Sequence, residues 1–203
     1  MLVVMTGSAS QLPHGLEVAL ATYRHKVFVE ALRWQLPVVN GLERDQFDRD
    51  DTLYAVARES NGDVCGCARL LPTTKAYLLD EVFPELMNGG LLPHSHDVWE
   101  LSRFSTMPTD ESIRISQAEA RSRFCTLFAA VGQAARSHGA ERLITVTALG
   151  VERILRSIGI HAHRAGAPRM VDGKPTLALW IELDEQTRNA LHLPIEAMAS
   201  VTQ

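Results

Sequence analysis

Only three cysteines occur in this chain of 203 residues: Cys65, Cys67 and Cys125. An odd count without framework spacing excludes a disulfide scaffold and points to reduced thiols in a cytoplasmic protein. In a strand, Cys65-x-Cys67 would set both thiols on one face. Two sulfurs with no histidine nearby make a poor zinc site, so buried small hydrophobes are the expected use. No apolar run approaches the roughly 18 residues of a membrane span. Met1 to Met5 is apolar but too short for a secretion signal, and no basic flank precedes it. Positive charge is not in excess: the net charge is −4 and no dense basic run exists, which argues against nucleic-acid binding. A P-loop and a G-x-G-x-x-G fingerprint are both missing. The eight histidines form no H-x3-H pair; His161-x-His163 comes nearest to a ligand pair and is expected on the surface. No metal site and no tightly bound cofactor are therefore expected. Repeats, low-complexity tracts and linkers are lacking, so residues 1–203 are read as a single domain.

What is present is an ordinary globular composition, 46% hydrophobic and 22% charged, with well-patterned segments. Leu16, Leu20, Tyr23 and Val27 recur at helical spacing and predict a helix over 15–33. Residues 35–51, with breakers Pro37, Asn40 and Gly41, read as loop. Strands are expected at 52–59 and 63–71, joined by a tight turn at Asn61-Gly62. A short helix over 76–87 is disturbed by Pro84, and 97–105 is a strand. Ser116-x2-Glu119 is a capping box that opens a helix ending at Gly139. A β-branched strand at 142–149, a short helix at 151–157, a hairpin at Asp172-Gly173, a strand at 175–183 and a helix at 185–191 follow. The tail after Pro194 reads as loose. This order favours an α/β fold with a mixed sheet covered by helices on both sides.

The strand Trp99-Glu100-Leu101-Ser102-Arg103-Phe104 carries an acid and a base among apolar neighbours. Burying unpaired charge is costly, so Glu100 and Arg103 are expected to be paired, liganded or both. Residues three apart in a flat strand point to opposite faces; either the strand bulges here or the two charges serve different faces. Arg24-x3-Phe28-x5-Trp34-x10-Asp45-x2-Asp48 and Arg69 in Cys67-Ala68-Arg69-Leu70-Leu71-Pro72 add further charges and aromatics. Together these eight positions resemble the acyl-homoserine lactone synthase (LuxI-type autoinducer synthase) family, from about residue 20 to about residue 185.

The resemblance implies a three-layer αβα sandwich with a mixed, mostly antiparallel sheet, similar to the N-acetyltransferases. Two central strands splay apart there and hold the acyl carrier. It also implies a reaction between S-adenosylmethionine, as a substrate, and an acyl group on acyl carrier protein. The amine of S-adenosylmethionine attacks the thioester, the lactone closes, and methylthioadenosine leaves. For catalysis the candidates are Glu100, Arg103, Asp48 and Arg69. Glu100 is either the base that keeps the amine neutral or a salt-bridge partner of Arg103 or Arg69. Arg69 is an organiser more than a direct catalyst. For S-adenosylmethionine the candidates are Arg24, Phe28, Trp34, Asp45 and Asp48. The aspartates hold a cation electrostatically or form a solvated acidic loop, and the rings stack on the ligand or pack in the core.

For the acyl donor the candidates are Arg103, Phe104, Ser105, Thr145, Thr147 and Leu149. Thr145 and Thr147 alternate on one strand face, and threonine is also simply a good strand former. Leu101, Met107, Leu127, Leu149, Leu155 and Trp180 are written alike for core or for an acyl tunnel. An acidic carrier needs a basic surface, for which Arg153 and Arg156 come first, with Arg121, Arg123, Arg164, Arg169 and Lys174 as further candidates. The competing readings are a CoA-dependent N-acetyltransferase and a non-catalytic binder. The acetyltransferase Q/R-x-x-G-x-G/A loop is missing before the helix at 117–138, and a binder would not need Arg24, Asp45, Asp48 and Glu100 together.

Overall fold

The computed structural model describes residues 2–109 and 114–192. The expected loose tail after Pro194 therefore lies outside the described residues. The elements in order are β1 (Val3–Ser8), α1 (Leu16–Arg24), a π-helical turn (His25–Ala31), β2 (Val38–Val39), β3 (Leu42–Glu43), β4 (Leu53–Arg58), β5 (Val64–Pro72), α2 (Leu78–Val82) and a 3-10 turn (Pro84–Met87). Then come β6 (Val98–Ser105), α3 (Gln117–Ser137), β7 (Arg142–Ala148), α4 (Leu149–Ile158), β8 (Ala162–Arg164), β9 (Arg169–Val171), β10 (Lys174–Glu182) and α5 (Glu185–Ala190).

One sheet runs β1-β4-β5-β6-β7-β10-β8, with β9 also on β10. Every pairing is antiparallel except β6 with β7. That exception follows from the α3 crossover, because a parallel neighbour needs a long connection. Leu127, Phe128 and Val131 of α3 and Leu155 of α4 pack with Trp99, Leu101 and Leu143 on one face. On the other face Leu20, Tyr23 and Phe28 pack with Tyr54 and Cys67, and Leu79 and Leu86 pack with Leu71 and Ile144. The architecture is the expected three-layer αβα sandwich with a mostly antiparallel sheet.

Three local differences from the sequence reading shape the site. The helix over 15–33 stops at Arg24 and widens into the π turn, and the chain then closes on itself with the Trp34 N–H donating to the Phe28 carbonyl. The stretch 35–51 is not all loop: Asn40 and Gly41, both at positive φ, make a two-residue hairpin of β2 and β3. Cys65 and Cys67 do not share a face. A register shift beside Cys65 turns it toward α3, while Cys67 packs under α1. Both thiols are buried, and burial pushes them up to about 11 and about 12, far from a nucleophilic thiolate at neutral pH.

Candidate active site

The site begins with a bulge. Register pairs join Arg69 to Ser102 and Cys67 to Ser105, so β6 spends one residue more than β5 over this stretch. The extra residue is accommodated at Arg103, which sits at φ 51. Leu101 and Phe104 therefore both pack on the α3 face, while Ser102 and Arg103 both turn toward α1. Of the two arrangements the sequence left open, the strand bulges, and Arg103 joins the face that carries Arg69.

Three arginines meet three carboxylates on that face. Arg24, the last residue of α1, grips Asp48 through two nitrogens at 2.7 and 3.0 Å and reaches Glu43 through Nε. Arg69 donates to Asp45 at 2.6 Å, to Asp48 at 3.3 Å and to the Ser102 hydroxyl at 3.0 Å. Arg103 donates to Glu43 at 3.0 Å and to Asp45 at 2.9 Å. Each carboxylate is shared by two arginines. The loop carrying the acids is tied down by its own backbone: the Asp45 N–H donates to Asp48, and the Phe47 N–H donates to Asp45. Tyr54 adds a hydroxyl donor to Asp48 at 2.8 Å. Burial works against charge on Asp48, but Arg24 overrides it and holds the carboxyl well below the usual range. Asp48 thus keeps its charge at ordinary pH values. Aromatic faces line the edge of the lattice: Phe28 and Trp34 stack at 5.0 Å, and the Arg103 guanidinium lies 5.7 and 5.8 Å from their ring centres. Trp34 remains 38% exposed, so an indole face borders solvent.

Glu100 stands apart from the lattice. It is wholly buried, yet no arginine among the described residues pairs with it, so of its two readings the salt bridge to Arg103 or Arg69 does not form. Its oxygens instead accept the Leu78 and Leu79 N–H groups at 2.8 and 2.7 Å, the orphan donors at the start of α2. Burial pushes its carboxyl up to about 7; those two N–H bonds and the more distant Arg69 and Arg103 charges pull the other way without prevailing. A proton acceptor poised near neutrality thus sits beside a cluster of fixed charge.

The sequence matches the autoinducer synthase family over residues 14–191. The chain belongs to that family. An acyl-homoserine-lactone synthase of Ralstonia solanacearum is 48% identical over 191 residues, 93% of each chain. A structure of TofI in a ternary complex with an inhibitor and MTA superposes at a TM-score of 0.82 with 46% identity, covering 94% of this chain and 97% of that one. BjaI, a CoA-dependent acyl-homoserine lactone synthase solved with SAM and isopentyl-CoA, superposes at 0.79 with 26% identity, covering 96% and 92%. An N-acetyltransferase-like protein from Lactobacillus plantarum shares the fold alone, at 0.59 and 18% identity over 90% of this chain and 99% of that one.

Within the sheet of this autoinducer synthase, the pairing of β6 with β7 stops short. The β6–β7 ladder ends at Leu101 with Thr145, although β6 continues to Ser105 and β7 to Ala148. The two strands splay there. Thr145 and Thr147 alternate with Ile144 and Val146 and so share the α3 face with Leu143. Leu149 opens α4 instead of ending β7, and it packs in the same cluster with Phe104. Ser105 faces back toward α1, where the Tyr23 hydroxyl lies 3.4 Å from its own.

The tunnel candidates do not all assemble. Leu101, Leu127, Leu149 and Leu155 belong to the α3-side cluster. Trp180 lies on the other face, with its ring under Arg142, and Met107 is exposed beyond the end of β6. Among the basic candidates, Arg153 and Arg156 are exposed on α4, and Arg121 reaches the Ser157 carbonyl at that helix's end. Glu152 neutralises Arg164 through two bonds and touches Arg156 at 3.4 Å. Arg123 is paired with Glu59 and Glu119, Arg169 with Asn88, and Lys174 with the Leu32 carbonyl, all away from α4.

Glu43 is the site residue that sequence reasoning passed over. It is wholly buried between Arg24 and Arg103. Charge balance was the available signal: three buried arginines need three carboxylates, and Glu100 is occupied by α2. Tyr54 and Ser102 were also missed; both read as ordinary strand residues.

Proposed function

We propose that this protein is an acyl-homoserine-lactone synthase, which builds a quorum-sensing signal from S-adenosylmethionine and an acyl thioester. The observation that carries this reading is Glu100. A buried carboxyl raised to about 7 lies on the same strand as the Arg103 bulge, next to a charge lattice with an aromatic rim. The amine of S-adenosylmethionine attacks only when neutral. Glu100, half ionised near neutrality, takes that proton directly or through one water. Each Glu100 oxygen spends one lone pair on an α2 N–H and keeps another.

The nitrogen then bonds to the thioester carbon, and the thiol leaves. The carboxylate of the methionine portion attacks its own γ-carbon, the C–S bond to the sulfonium breaks, and methylthioadenosine departs. The sulfonium is already a good leaving group, so this step chiefly requires a folded, near-attack substrate. Phe28 and Trp34 offer faces for the adenine or the sulfonium. Asp45 and Asp48 supply negative field from within the lattice, and Arg24, Arg69 and Arg103 fix its geometry. Arg103, Phe104, Ser105, Thr145, Thr147 and Leu149 receive the acyl arm at the splayed strands.

The preferred donor in this reading is acyl carrier protein. Its acidic surface docks on the exposed arginines around α4, Arg153 and Arg156 with Arg121 beside them. The CoA dependence of BjaI makes CoA thioesters the necessary second arm of any donor panel. The deciding experiment supplies purified protein with S-adenosylmethionine and a series of acyl carrier and acyl-CoA thioesters, with products read by mass spectrometry. An N-acyl-homoserine lactone with methylthioadenosine is the expected result. Acetyl transfer to some other amine, with no lactone from any donor, overturns the reading.

A further inference from the structure

The loop that carries the acids also reaches the helix that holds Glu100. Thr52 is fully buried and ties the loop's end: its hydroxyl donates to the Phe47 carbonyl at 2.6 Å and accepts the Arg49 N–H at 3.0 Å. From that fixed backbone the Phe47 ring packs with Tyr77 and Leu79, and it lies 5.6 Å from the Arg69 guanidinium. Arg49, partly buried, donates from Nη1 to the Ala76 carbonyl at 2.7 Å and from Nε to Asp51 at 3.0 Å. Lys75 closes a second bridge, 2.9 Å from Asp51. Just beyond Ala76 come Leu78 and Leu79, whose N–H groups Glu100 accepts. Helix α2 is only five residues long, and its N-cap residue, Tyr77, makes no side-chain cap. So short a helix has no stability of its own, and contacts from elsewhere decide where those two N–H groups point.

We propose that Arg49 is a positioning residue for Glu100: by holding the Ala76 carbonyl it fixes the start of α2, and with it the N–H pair that keeps Glu100 ready to accept a proton. The proposal rests on the synthase reading above, in which Glu100 is the base. Burial opposes charge on Glu100 and the two N–H bonds favour it, so slack at Ala76 leaves burial less opposed and raises the carboxyl further. The charged and titratable groups around Glu100 are Arg69 of β5, Arg103 of β6 and Tyr77 before α2. Beyond Tyr77 stand Asp80 of α2 and His94, whose ring meets that of Tyr77 at 6.0 Å. From β7 comes Ile144, and from the acidic loop comes Phe47, both apolar. All of these are common to the parent and an Arg49 variant, so a difference in pH dependence between the two reports the clamp.

The test follows kcat/KM for S-adenosylmethionine from about pH 5.5 to 9 in the parent, Arg49→Met, Lys75→Met and Arg44→Met, with the best donor of the panel above. Arg44 is exposed in the same acidic run, and its loss removes a positive charge without releasing Ala76. In Arg49→Met the rising limb should move up by about half a pH unit. That is read as kcat/KM about threefold below the parent at about pH 6 and level with it by about pH 8.5. Lys75→Met should move the limb the same way by less, and it decides the matter if thermal melts show Arg49→Met unfolded. Arg44→Met should leave the limb in place. An unmoved limb, a loss by the same factor at every pH, or an equal shift in Arg44→Met overturns the positioning role. The infrared carboxylic acid band that Glu100→Gln removes gives the same titration without turnover. A parent that makes no lactone with any donor overturns the synthase reading. The infrared midpoint then still decides whether Arg49 positions the carboxyl, and a midpoint equal in parent and Arg49→Met overturns that as well.

Discussion

The two faces of the sheet are built by opposite means at the same strands. Facing α1, β5 and β6 bury Arg69, Ser102 and Arg103 in a lattice that leaves no carboxylate unshared. Facing α3, a residue or two away, the same strands bury Ala68, Leu70 and Leu101, with Phe104 partly covered beside them. Each face tolerates the other's chemistry badly. A charge on the α3 side would be unpaired, and an apolar residue on the α1 side would orphan its partners. The Arg103 bulge and the β6–β7 splay are where the two meet, and a reaction between a cationic substrate and a greasy thioester requires both.

Replacing Glu100 tests the meeting point and should have the largest effect. Glu100→Gln is expected to cut turnover by about 10²–10⁴-fold while S-adenosylmethionine binding, read by calorimetry, changes little. Turnover near the parent value would remove Glu100 as the base.

Arg69→Met tests the charged face. It leaves Asp45 and Asp48 short of a partner and should cost about 3–5 kcal/mol, a fall of about 6–20 °C in Tm. Leu143→Ala on the apolar face should cost a similar about 2–5 kcal/mol. Acid separates them. Asp48 is held below its ordinary range, so pairing contributes stability above that range and loses it as pH falls. The Arg69→Met deficit should therefore shrink toward pH 3, whereas the Leu143→Ala deficit should not. Equal pH profiles for the two would mean the lattice contributes by packing alone.

Glu100 has the opposite sign. Its carboxyl is raised from the ordinary 4.5 to about 7, so the folded protein binds more protons than the unfolded chain between those values. Stability from this group is full below about pH 4.5, falls as pH rises through 7, and is flat beyond, a loss on the order of 3 kcal/mol. Melts across that window should show the decline in the parent and its absence in Glu100→Gln. Parallel curves would place the Glu100 carboxyl in the ordinary range.

The smallest effect belongs to the surface. Arg153→Glu with Arg156→Glu should raise KM for carrier-bound donors by roughly tenfold at low salt, the difference fading as salt is added. CoA donors should be unaffected. An equal change for both donors would remove α4 as the carrier's docking surface.

Much of the fold was legible because periodicity and punctuation are local. The Ser116 cap on the Glu119 N–H and the Asp172-Gly173 turn with both residues at positive φ are where the residue types demand. The π turn after Arg24 was not legible, and the β2–β3 hairpin was read as loop although Asn40-Gly41 marks a tight turn, because only two residues pair on either side of it. At the site the hallmark residues could be listed but not connected. Glu43 was hidden in an acidic run that ordinarily would be solvated, and nothing along the chain showed that the α2 N–H groups would hold Glu100.

By itself the amino-acid order determined the αβα layering, the helix and turn boundaries and the family, because each is encoded in spacing and residue type along the chain. Tertiary structure alone decided which carboxylate meets which guanidinium, that Cys65 and Cys67 face apart, and that Arg103 turns to the same face as Arg69. Those outcomes follow from one-residue shifts in strand register, and in a strand a shift of one residue exchanges the faces of everything beyond it.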